Sequence, residues 1–314
     1  MCCSDLPLGQ GLGNSVGFAL AERLLRQRFG ADVVDHFTYV IAGDGCLMEG
    51  VGQEAITLAG HLGLGRLIVL FDDNGISIDG PTSLSTSEDQ IGRFKAAGWN
   101  TLAIDGHDPA AIAKAMTTAT ADASKPWLIA CKTKIGYGAP TKQDTHSAHG
   151  EPLGDDEIAK TKTAYGWPAD AKFLIPEDVA KLMGKAVRRG RKLEKEWQPK
   201  LAALSPALAT EWSQLQAGEL PAGWDKELPV FPADAKGLAT RDSNGKVMNA
   251  VAKTVPWLLG GAADLVESTR TEFTGSGVFA ADWAGRNIPF GIREHAMGAI
   301  VNGIAVHGGC LRPY

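Results

Sequence analysis

IAGDGCLMEGVGQEAITLAGHLGLGRLIVLFDDNGISIDG, residues 41–80, contains two short apolar runs that each end in an acidic turn with glycine. The turn GDG (residues 43–45) ends the first run, and the turn DDNG (residues 72–75) ends the second, RLIVLF. A helix-like segment, QEAITLAGHLG, lies between them. Short apolar runs separated by one helix predict a β-α-β unit with parallel strands.

The same alternation continues on both sides of this stretch. The helix-like segments are NSVGFALAERLLRQRFG, with Asn14 as its expected N-cap, SEDQIGRFKAAGW, and a helix opened by Asp108 and Pro109. The strand-like runs are HFTYVIA, which leads into Gly43, NTLAID and PWLIACKTK. Strands that alternate with helices predict an α/β fold, a doubly wound parallel sheet covered on both faces.

The two acidic turns indicate a binding site at one edge of this sheet. Parallel sheets bind ligands beyond the carboxyl ends of their strands, and both turns follow strands. Asp44, the side-chain oxygen of Asn74 and the backbone carbonyl of Ile76 are oxygen donors of the kind that Mg²⁺ prefers. Gly43 and Gly45 let the backbone approach a ligand closely, as residues with a Cβ could not. Each turn alone is an ordinary loop signal, so it is their pairing that indicates the site.

The composition argues against several other classes of protein. The chain has 314 residues and a formal net charge of -5, and its charges are mixed, so no basic stripe indicates nucleic-acid binding. Its five cysteines lack the CxxC spacing of a zinc site or disulfide framework. No apolar run reaches the roughly 18 residues of a membrane span, and the N-terminus lacks a signal-peptide pattern. We therefore expect a cytoplasmic protein that acts on small molecules.

The second half of the chain is expected to form another domain. A charged amphipathic segment and the proline-rich ELPAGWDKELPVFPADAK predict a linker over residues 191–235, with its charges solvated. The first domain is then residues 1–190, and the start of a second α/β domain is residues 236–314. There the run NIPFGI precedes Glu294, which begins a helix. A carboxylate in this position can simply complement the helix dipole.

Seven segments, taken in order, resemble the transketolase family: GDGCLMEG, DDNGISIDG, KTKIGYGAP, THSAHG, LATR, GGAADL and IREHAMGAIVNGIAVHGG. The resemblance covers nearly the whole chain. It implies thiamine diphosphate as cofactor, with Mg²⁺ or else Ca²⁺ or Mn²⁺, and transfer of a two-carbon ketol unit from a ketose phosphate to an aldose phosphate. It also implies a homodimer in which one subunit holds the diphosphate and its partner holds the pyrimidine.

The resemblance assigns roles to residues of the first domain. Asp44, Asn74 and the Ile76 carbonyl match the metal ligands. Glu49 matches a carboxylate near the cofactor at the subunit contact. His149, in SAHG, matches a histidine near the diphosphate and the substrate, although a histidine in a glycine-rich loop is often merely exposed.

Further roles fall in the second half of the chain. Arg241 and Ser268 match residues that hold the sugar phosphate, which arginine can bind through two parallel hydrogen bonds; a surface arginine needs no such role. Asp264 either caps the segment that follows it or faces the cofactor. Glu294 matches the acid that hydrogen-bonds the aminopyrimidine ring, whose amino group deprotonates the thiazolium. His149 and Glu294 are thus the expected catalytic residues.

The resemblance also implies an incomplete chain. The family's N-terminal segment, the rest of its pyrimidine domain and its C-terminal domain have no counterpart, and Leu6 stands where the family motif has glycine. We therefore expect a fragment or split subunit of a transketolase that is active when completed by other polypeptide. The alternative is a non-catalytic remnant that serves as a binding or interaction module. The retained metal and acid residues favour the first interpretation.

Overall fold

A computed structural model of the chain describes residues 8–279 and 285–308. Helices occupy much of both halves. In chain order they are α1 (Gln10–Phe29), α2 (Asp44–Met48), α3 (Gly50–His61), α4 (Gln90–Ala96), α5 (Pro109–Ala121), α6 (Asp155–Ala164), α7 (Glu177–Ala202), α8 (Pro206–Ala217), α9 (Thr240–Thr254), α10 (Val266–Thr269) and α11 (Glu294–His307).

The strands form one four-stranded sheet and two small pairs. They are β1 (Thr38–Gly43), β2 (Leu67–Asp73), β3 (Ile76–Ser77), β4 (Gly80–Pro81), β5 (Asn100–Asp105), β6 (Trp127–Lys132), β7 (Gly260–Ala262) and β8 (Asn287–Pro289). The large sheet has the order β1-β2-β6-β5, and all its neighbours pair in parallel. The predicted α/β fold with a parallel sheet is therefore confirmed.

Helices cover both faces of this sheet. On one face, α1, α3 and α4 pack against the sheet in the main apolar core, which includes the fully buried Leu12, Ile56 and Phe94. On the other face, Ala115 and Ala119 of α5 pack in a separate cluster with side chains of β2 and β6. Central strand β6 is buried at every position except its last, as expected for a parallel strand covered on both sides.

The starts of two helices test the capping predictions. Asp108 caps α5 as predicted, and its side chain accepts a hydrogen bond from the backbone N of Ala110 at 2.8 Å. The prediction for Asn14 is wrong, because α1 begins at Gln10 after a left-handed Gly9 with no side-chain cap. The earlier start follows from packing, since Leu12 in the additional turn is fully buried.

The two halves of the chain meet where α1 crosses α11 at very short range. A Cβ added at Gly17 would lie 2.3 Å from the carbonyl oxygen of Ile300. A Cβ added at Gly303 would lie 2.1 Å from the carbonyl oxygen of Asn14. Gly13 of α1 packs directly against the side chain of Ala299 in α11. The backbones of both helices are therefore in direct contact, which requires glycine at these positions.

The predicted linker packs on the end of α1. Trp197 of α7 donates a hydrogen bond to the carbonyl oxygen of Val33 at 2.9 Å, and Trp212 of α8 packs edge-on against Phe29 with ring centroids 5.1 Å apart. No residue of α7 is fully buried, as predicted for its charged face. Helix α7 continues through residue 190, the end predicted for the first domain. The division of the chain at residues 190 and 236 stays a prediction.

Some expectations from composition concern residues that the structure does not describe: Leu6, Cys2, Cys3 and Cys310 lie outside the described residues. Cys46 and Cys131 are buried cysteines in the thiol form. Among residues 8–279 and 285–308, no helix is long and apolar enough to cross a membrane. The same residues contain no cluster of three or more His, Cys, Asp or Glu side chains suited to a metal. A metal site in this part of the chain therefore needs amide or carbonyl oxygens as well.

The α1–α11 contact predicts opposite outcomes for two glycines of one helix. Gly303→Ala should lower the free energy of unfolding by about 1–3 kcal/mol, because its methyl group collides with the α1 backbone. Gly298→Ala is the matched control, since a Cβ there meets nothing within 4 Å and alanine favours the helix by about 1 kcal/mol. Urea unfolding of both variants measures this difference. Equal effects would show that the crossing tolerates a side chain.

Candidate functional site

The two acidic turns lie side by side at the carboxyl edge of the sheet. In the parallel pairing of β1 with β2, Gly43 is opposite Asp72, so both turns leave the sheet at the same level. They enclose part of a cavity of about 660 Å³. The predicted site residues that line it are Gly43, Asp44, Gly45, Asn74, Ile76 and His149.

Hydrogen bonds hold the DDNG turn against Asp44. The Asp44 Oδ2 atom accepts from the backbone N of Gly75 at 3.2 Å. Asn74 accepts from the backbone N of Ile76 through Oδ1 at 2.9 Å and donates through Nδ2 to Asp72 at 3.1 Å. Because Asp72 can only accept, these contacts determine which end of the Asn74 amide is oxygen. The two turns therefore present the Asp44 carboxylate and an oriented Asn74 amide oxygen together.

Asp72 is a supporting residue that sequence reasoning missed. Besides accepting from Asn74, it accepts a hydrogen bond from the hydroxyl of Thr133, just after β6. Its neighbour Asp73 instead forms an ion pair with Lys132, whose Nζ lies 3.2 Å from Asp73 Oδ1. The available signal was the position of Asp72 directly before Asp73 and Asn74 in the same turn. Asp72 thus ties the candidate ligand turn to the neighbouring strand.

The electrostatic environment of Asp44 suits a cation. Burial raises the pKa of the Asp44 carboxyl, the hydrogen bond from Gly75 opposes that rise, and the nearby charge of Asp73 adds to it. Ionised Asp44 is therefore disfavoured by loss of water and by a neighbouring negative charge. A bound cation would relieve both effects.

The residues around the cavity fit a divalent cation with an anionic group. One carboxylate, one amide oxygen and one backbone carbonyl form a hard oxygen set, which suits Mg²⁺ or Ca²⁺. The Nδ1 atom of His149 is buried beside the cavity and has no hydrogen-bond partner. Such an orphaned nitrogen is costly unless something pairs with it, and an anionic ligand would do so. Gly45 also lies close to Leu8, since a Cβ added there would be 2.9 Å from Leu8 Cδ1.

Five predicted site residues do not line this cavity within one chain: Glu49, Arg241, Asp264, Ser268 and Glu294. Asp264 and Ser268 share another cavity, of about 420 Å³. Arg241 lies exposed in the first turn of α9, and Glu294 lies exposed as the first residue of α11. Glu49 precedes α3 and lies against Gly9. The structure therefore brings the diphosphate and metal candidates together in one cavity, and the other five candidates lie outside that cavity.

Asp264 adopts an uncommon backbone conformation. Its φ of 62° lies in the left-handed region, which non-glycine residues rarely enter. Helix α10 has Leu265 at its N-cap position and no side-chain cap hydrogen bond, so Asp264 does not serve as its cap. Conformations of this kind cost roughly 1–3 kcal/mol and cluster at functional sites. The capping alternative is therefore wrong, and the cofactor-facing alternative stays a prediction.

Glu54 is a second residue that sequence reasoning missed. Its Oε2 atom accepts a hydrogen bond from the backbone N of Ala296 at 2.8 Å, in the first turn of α11. Nearby, Arg293 Nε donates to the Thr57 hydroxyl at 2.9 Å. These contacts attach the start of α11, and hence the backbone of Glu294, to α3. No local signal marks Glu54, which resembles any helix-surface carboxylate.

Known proteins match both halves of the chain. The family model of the transketolase thiamine diphosphate binding domain matches residues 3–221, and that of the transketolase pyrimidine binding domain matches residues 236–314. The transketolase of Geobacillus stearothermophilus is 50% identical over 312 residues, which cover 96% of this chain and 47% of the relative. Transketolase-1, chloroplastic, of Arabidopsis thaliana is 46% identical over 98% of this chain and 43% of its own length.

The fold agrees with solved structures of this family. A crystal structure of Pichia stipitis transketolase in complex with sedoheptulose-7-phosphate matches with a TM-score of 0.94 and 42% identity, over 98% of this chain and 48% of that one. The chain thus spans about half the length of the curated relatives it matches. It contains a thiamine diphosphate-binding domain followed by a pyrimidine-binding segment. The chain therefore belongs to the transketolase family.

Proposed function

We propose that this chain provides the thiamine diphosphate and metal site of a transketolase that transfers a two-carbon ketol unit between sugar phosphates, and that it acts when completed by additional polypeptide. The observation that carries the proposal is the cavity where Asp44, Asn74, Ile76 and His149 meet. Family membership supports the same reaction class, because the matched relatives are transketolases.

The residues of the first domain would hold the cofactor through its charged end. Asp44, the Asn74 side-chain oxygen and the Ile76 carbonyl would bind Mg²⁺, Ca²⁺ or Mn²⁺, and the metal would neutralise the diphosphate. The space that a Cβ at Gly43 would enter has no protein atom within 4 Å. The absence of a side chain there would let the diphosphate approach the backbone. His149 would donate a hydrogen bond from its buried ring nitrogen to the phosphate or the substrate. Bound thiamine diphosphate supplies a stabilised carbanion at its thiazolium ring.

The residues of the second domain would serve a site shared by two subunits. Glu294 would hold a proton at the aminopyrimidine of the cofactor on a partner subunit, and its exposure in one chain supports this arrangement. Asp264 would face the same ring, and Glu49 would lie at the subunit contact. Arg241 and Ser268 would bind the phosphate of the sugar, for which a guanidinium group is well suited.

The non-catalytic binding module is the alternative to this function. The chain spans about half of its relatives' length. The oriented oxygen donors and the orphaned His149 nitrogen favour a working cofactor site. The cytoplasmic location and the homodimer are further parts of the proposal, and the relatives include a chloroplastic protein.

The metal assignment predicts that cofactor binding depends on one specific carboxylate. Asp44→Asn keeps a hydrogen-bond acceptor for Gly75 but removes the charge. It should weaken Mg²⁺-dependent binding of thiamine diphosphate by more than the roughly 10- to 100-fold typical of losing a group that only supports a ligand. Isothermal titration calorimetry with Mg²⁺ and with excess chelator measures the effect.

Asp79→Asn is the matched control for this experiment. Asp79 is exposed and lines the same cavity, but it is not a proposed ligand. Its replacement should change the affinity little. Equal losses in both variants, or unchanged binding in chelator, would refute the metal site at Asp44.

The catalytic assignment predicts a slower proton loss from the cofactor in a Glu294 variant. Glu294→Gln keeps size and hydrogen bonding but cannot exchange a proton. In the protein completed by the missing segments of a related transketolase, cofactor affinity should persist, while hydrogen-deuterium exchange at the thiazolium C2 should slow by about 10²- to 10⁴-fold. Glu219→Gln, in the exposed segment after α8, should exchange like the parent. Parental exchange in Glu294→Gln would leave Glu294 as a helix-start carboxylate.

A further inference from the structure

Two histidines from opposite halves of the chain meet at the far end of α11 from Glu294. His36 precedes β1, and His307 is the last residue of α11. Their Nε2 atoms lie 2.9 Å apart, and their ring planes differ by 22° with centroids 5.1 Å apart. Phe18 of α1 packs edge-on against His307 with centroids 5.4 Å apart. The pair therefore joins both domains at the end of the α1–α11 crossing.

The hydrogen bonds around the pair determine where its protons lie. The Nδ1 atom of His307 is 3.0 Å from the carbonyl oxygen of Gly308, which can only accept. Nδ1 therefore carries the proton, and in the neutral ring Nε2 has the free lone pair. His36 must then donate its Nε2 proton to His307. The uncharged pair has a single arrangement of protons.

This arrangement accepts one further proton but not two. His36 can bind a proton at its Nδ1 atom and still donate from Nε2 to His307. When His307 is also protonated, both of its nitrogens carry hydrogen, and its Nε2 proton points at the Nε2 proton of His36 over 2.9 Å. The hydrogen bond is then lost and two positive charges face each other at close range. Double protonation is incompatible with the contact.

The surroundings of the pair also disfavour charge. Burial lowers the pKa of His307, and the hydrogen bond to Gly308 opposes this. His36 is an exposed residue, but partial burial of its ring lowers its pKa as well, with further lowering from His307 and Arg66 and an opposing effect of Asp35. Arg66 forms an ion pair with Asp35. The pair is therefore neutral or singly charged in the folded chain near pH 7.

One acidic group lies behind Arg66 and titrates in the opposite sense. Glu22 of α1 is buried, with Arg66 Nε at 3.5 Å and Arg26 at 3.8 Å. Burial raises the pKa of Glu22 to about 7, and both arginines oppose the rise. A raised carboxyl pKa favours the folded state as the pH falls through about 7, whereas a lowered histidine pKa disfavours it below about 6.5. Histidine variants that keep Glu22 isolate the effect of the pair.

We propose that His36 and His307 are positioning residues for Glu294. They hold the C-terminal end of α11 against the first domain while they carry at most one proton between them. Binding of a second proton releases this end of the helix. Glu294 and His307 are the two ends of this one 14-residue helix, so an anchor at one end restrains the other. Glu54 holds the opposite end at Ala296. The link to Glu294 rests on the proposed function, whereas the histidine contact does not.

A double-mutant cycle on the full chain tests the pair. His36→Gln, His307→Gln and the double variant are unfolded in urea at pH 7.5 and 5.5. Below about pH 6.5 the unfolded parent binds two protons at these sites, whereas the folded pair binds at most one. As the pH falls, the folding equilibrium constant of the parent should therefore decrease relative to that of either single variant, by up to tenfold per pH unit. The coupling between the two positions should be favourable at pH 7.5 and absent at pH 5.5.

His61→Gln is the matched control, because His61 lies exposed at the end of α3. This variant should keep the parent's pH dependence. Equal pH dependence in the parent and both pair variants would overturn the proposal, as would a coupling that does not change with pH.

A second measurement uses the parent chain, so it tests the histidine contact even if a variant fails to fold. The Cε1 proton resonances of His36 and His307 should titrate in two well-separated steps, and amide hydrogen exchange in residues 294–308, corrected for its intrinsic rate, should accelerate with the second step. A single shared step without loss of protection would refute the release. Neither readout involves cofactor or sugar, so their failure is distinct from a failure of the Glu294 assignment, which C2 exchange reports.

Discussion

The parallel register of β1 and β2 is the constraint on which the candidate site depends. Gly43 pairs opposite Asp72, so the two acidic turns leave the sheet at one level and meet over a single cavity. A register shift of one residue would turn the side chains of a strand to the other face of the sheet. Such a shift would also break the hydrogen bond that Asp72 accepts from the hydroxyl of Thr133 after β6. The oxygen donors are thus placed by the core of the sheet.

A second constraint joins this sheet to the rest of the chain. Helix α11 is held at its start by Glu54, in its middle by the glycine contact with α1, and at its end by the histidine pair. The glycine contact leaves little freedom to rotate or slide, because backbone meets backbone at Gly17 and Gly303. Glu294 is thereby held at an exposed position that does not line the cavity of its own chain. This placement is what a site shared between two subunits requires.

Local patterns predicted the features that local physics decides. The apolar runs and turns predicted the parallel sheet and the shared edge for Asp44 and Asn74, since strand direction alone places both turns there. The Asp108 cap depends only on its immediate neighbours. Asn14 failed as a cap because packing between distant segments decides where α1 begins. Contacts of that kind leave no periodic or compositional signal, so neither Glu54 nor the histidine pair was predictable, and His149 was found only through its motif.

The most direct test of the central claim is to observe the ligands of the metal. Mn²⁺ can replace Mg²⁺ at an oxygen site, and electron-nuclear double resonance on the chain with thiamine diphosphate detects ³¹P and ¹³C nuclei that are separated from the metal by one ligand oxygen. We expect strong ³¹P coupling from the diphosphate together with ¹³C coupling from selectively labelled Asp and Asn, and loss of the Asp coupling in Asp44→Asn. Bound Mn²⁺ with ³¹P coupling but no coupling to either labelled residue would contradict the assignment of Asp44 and Asn74 as its ligands.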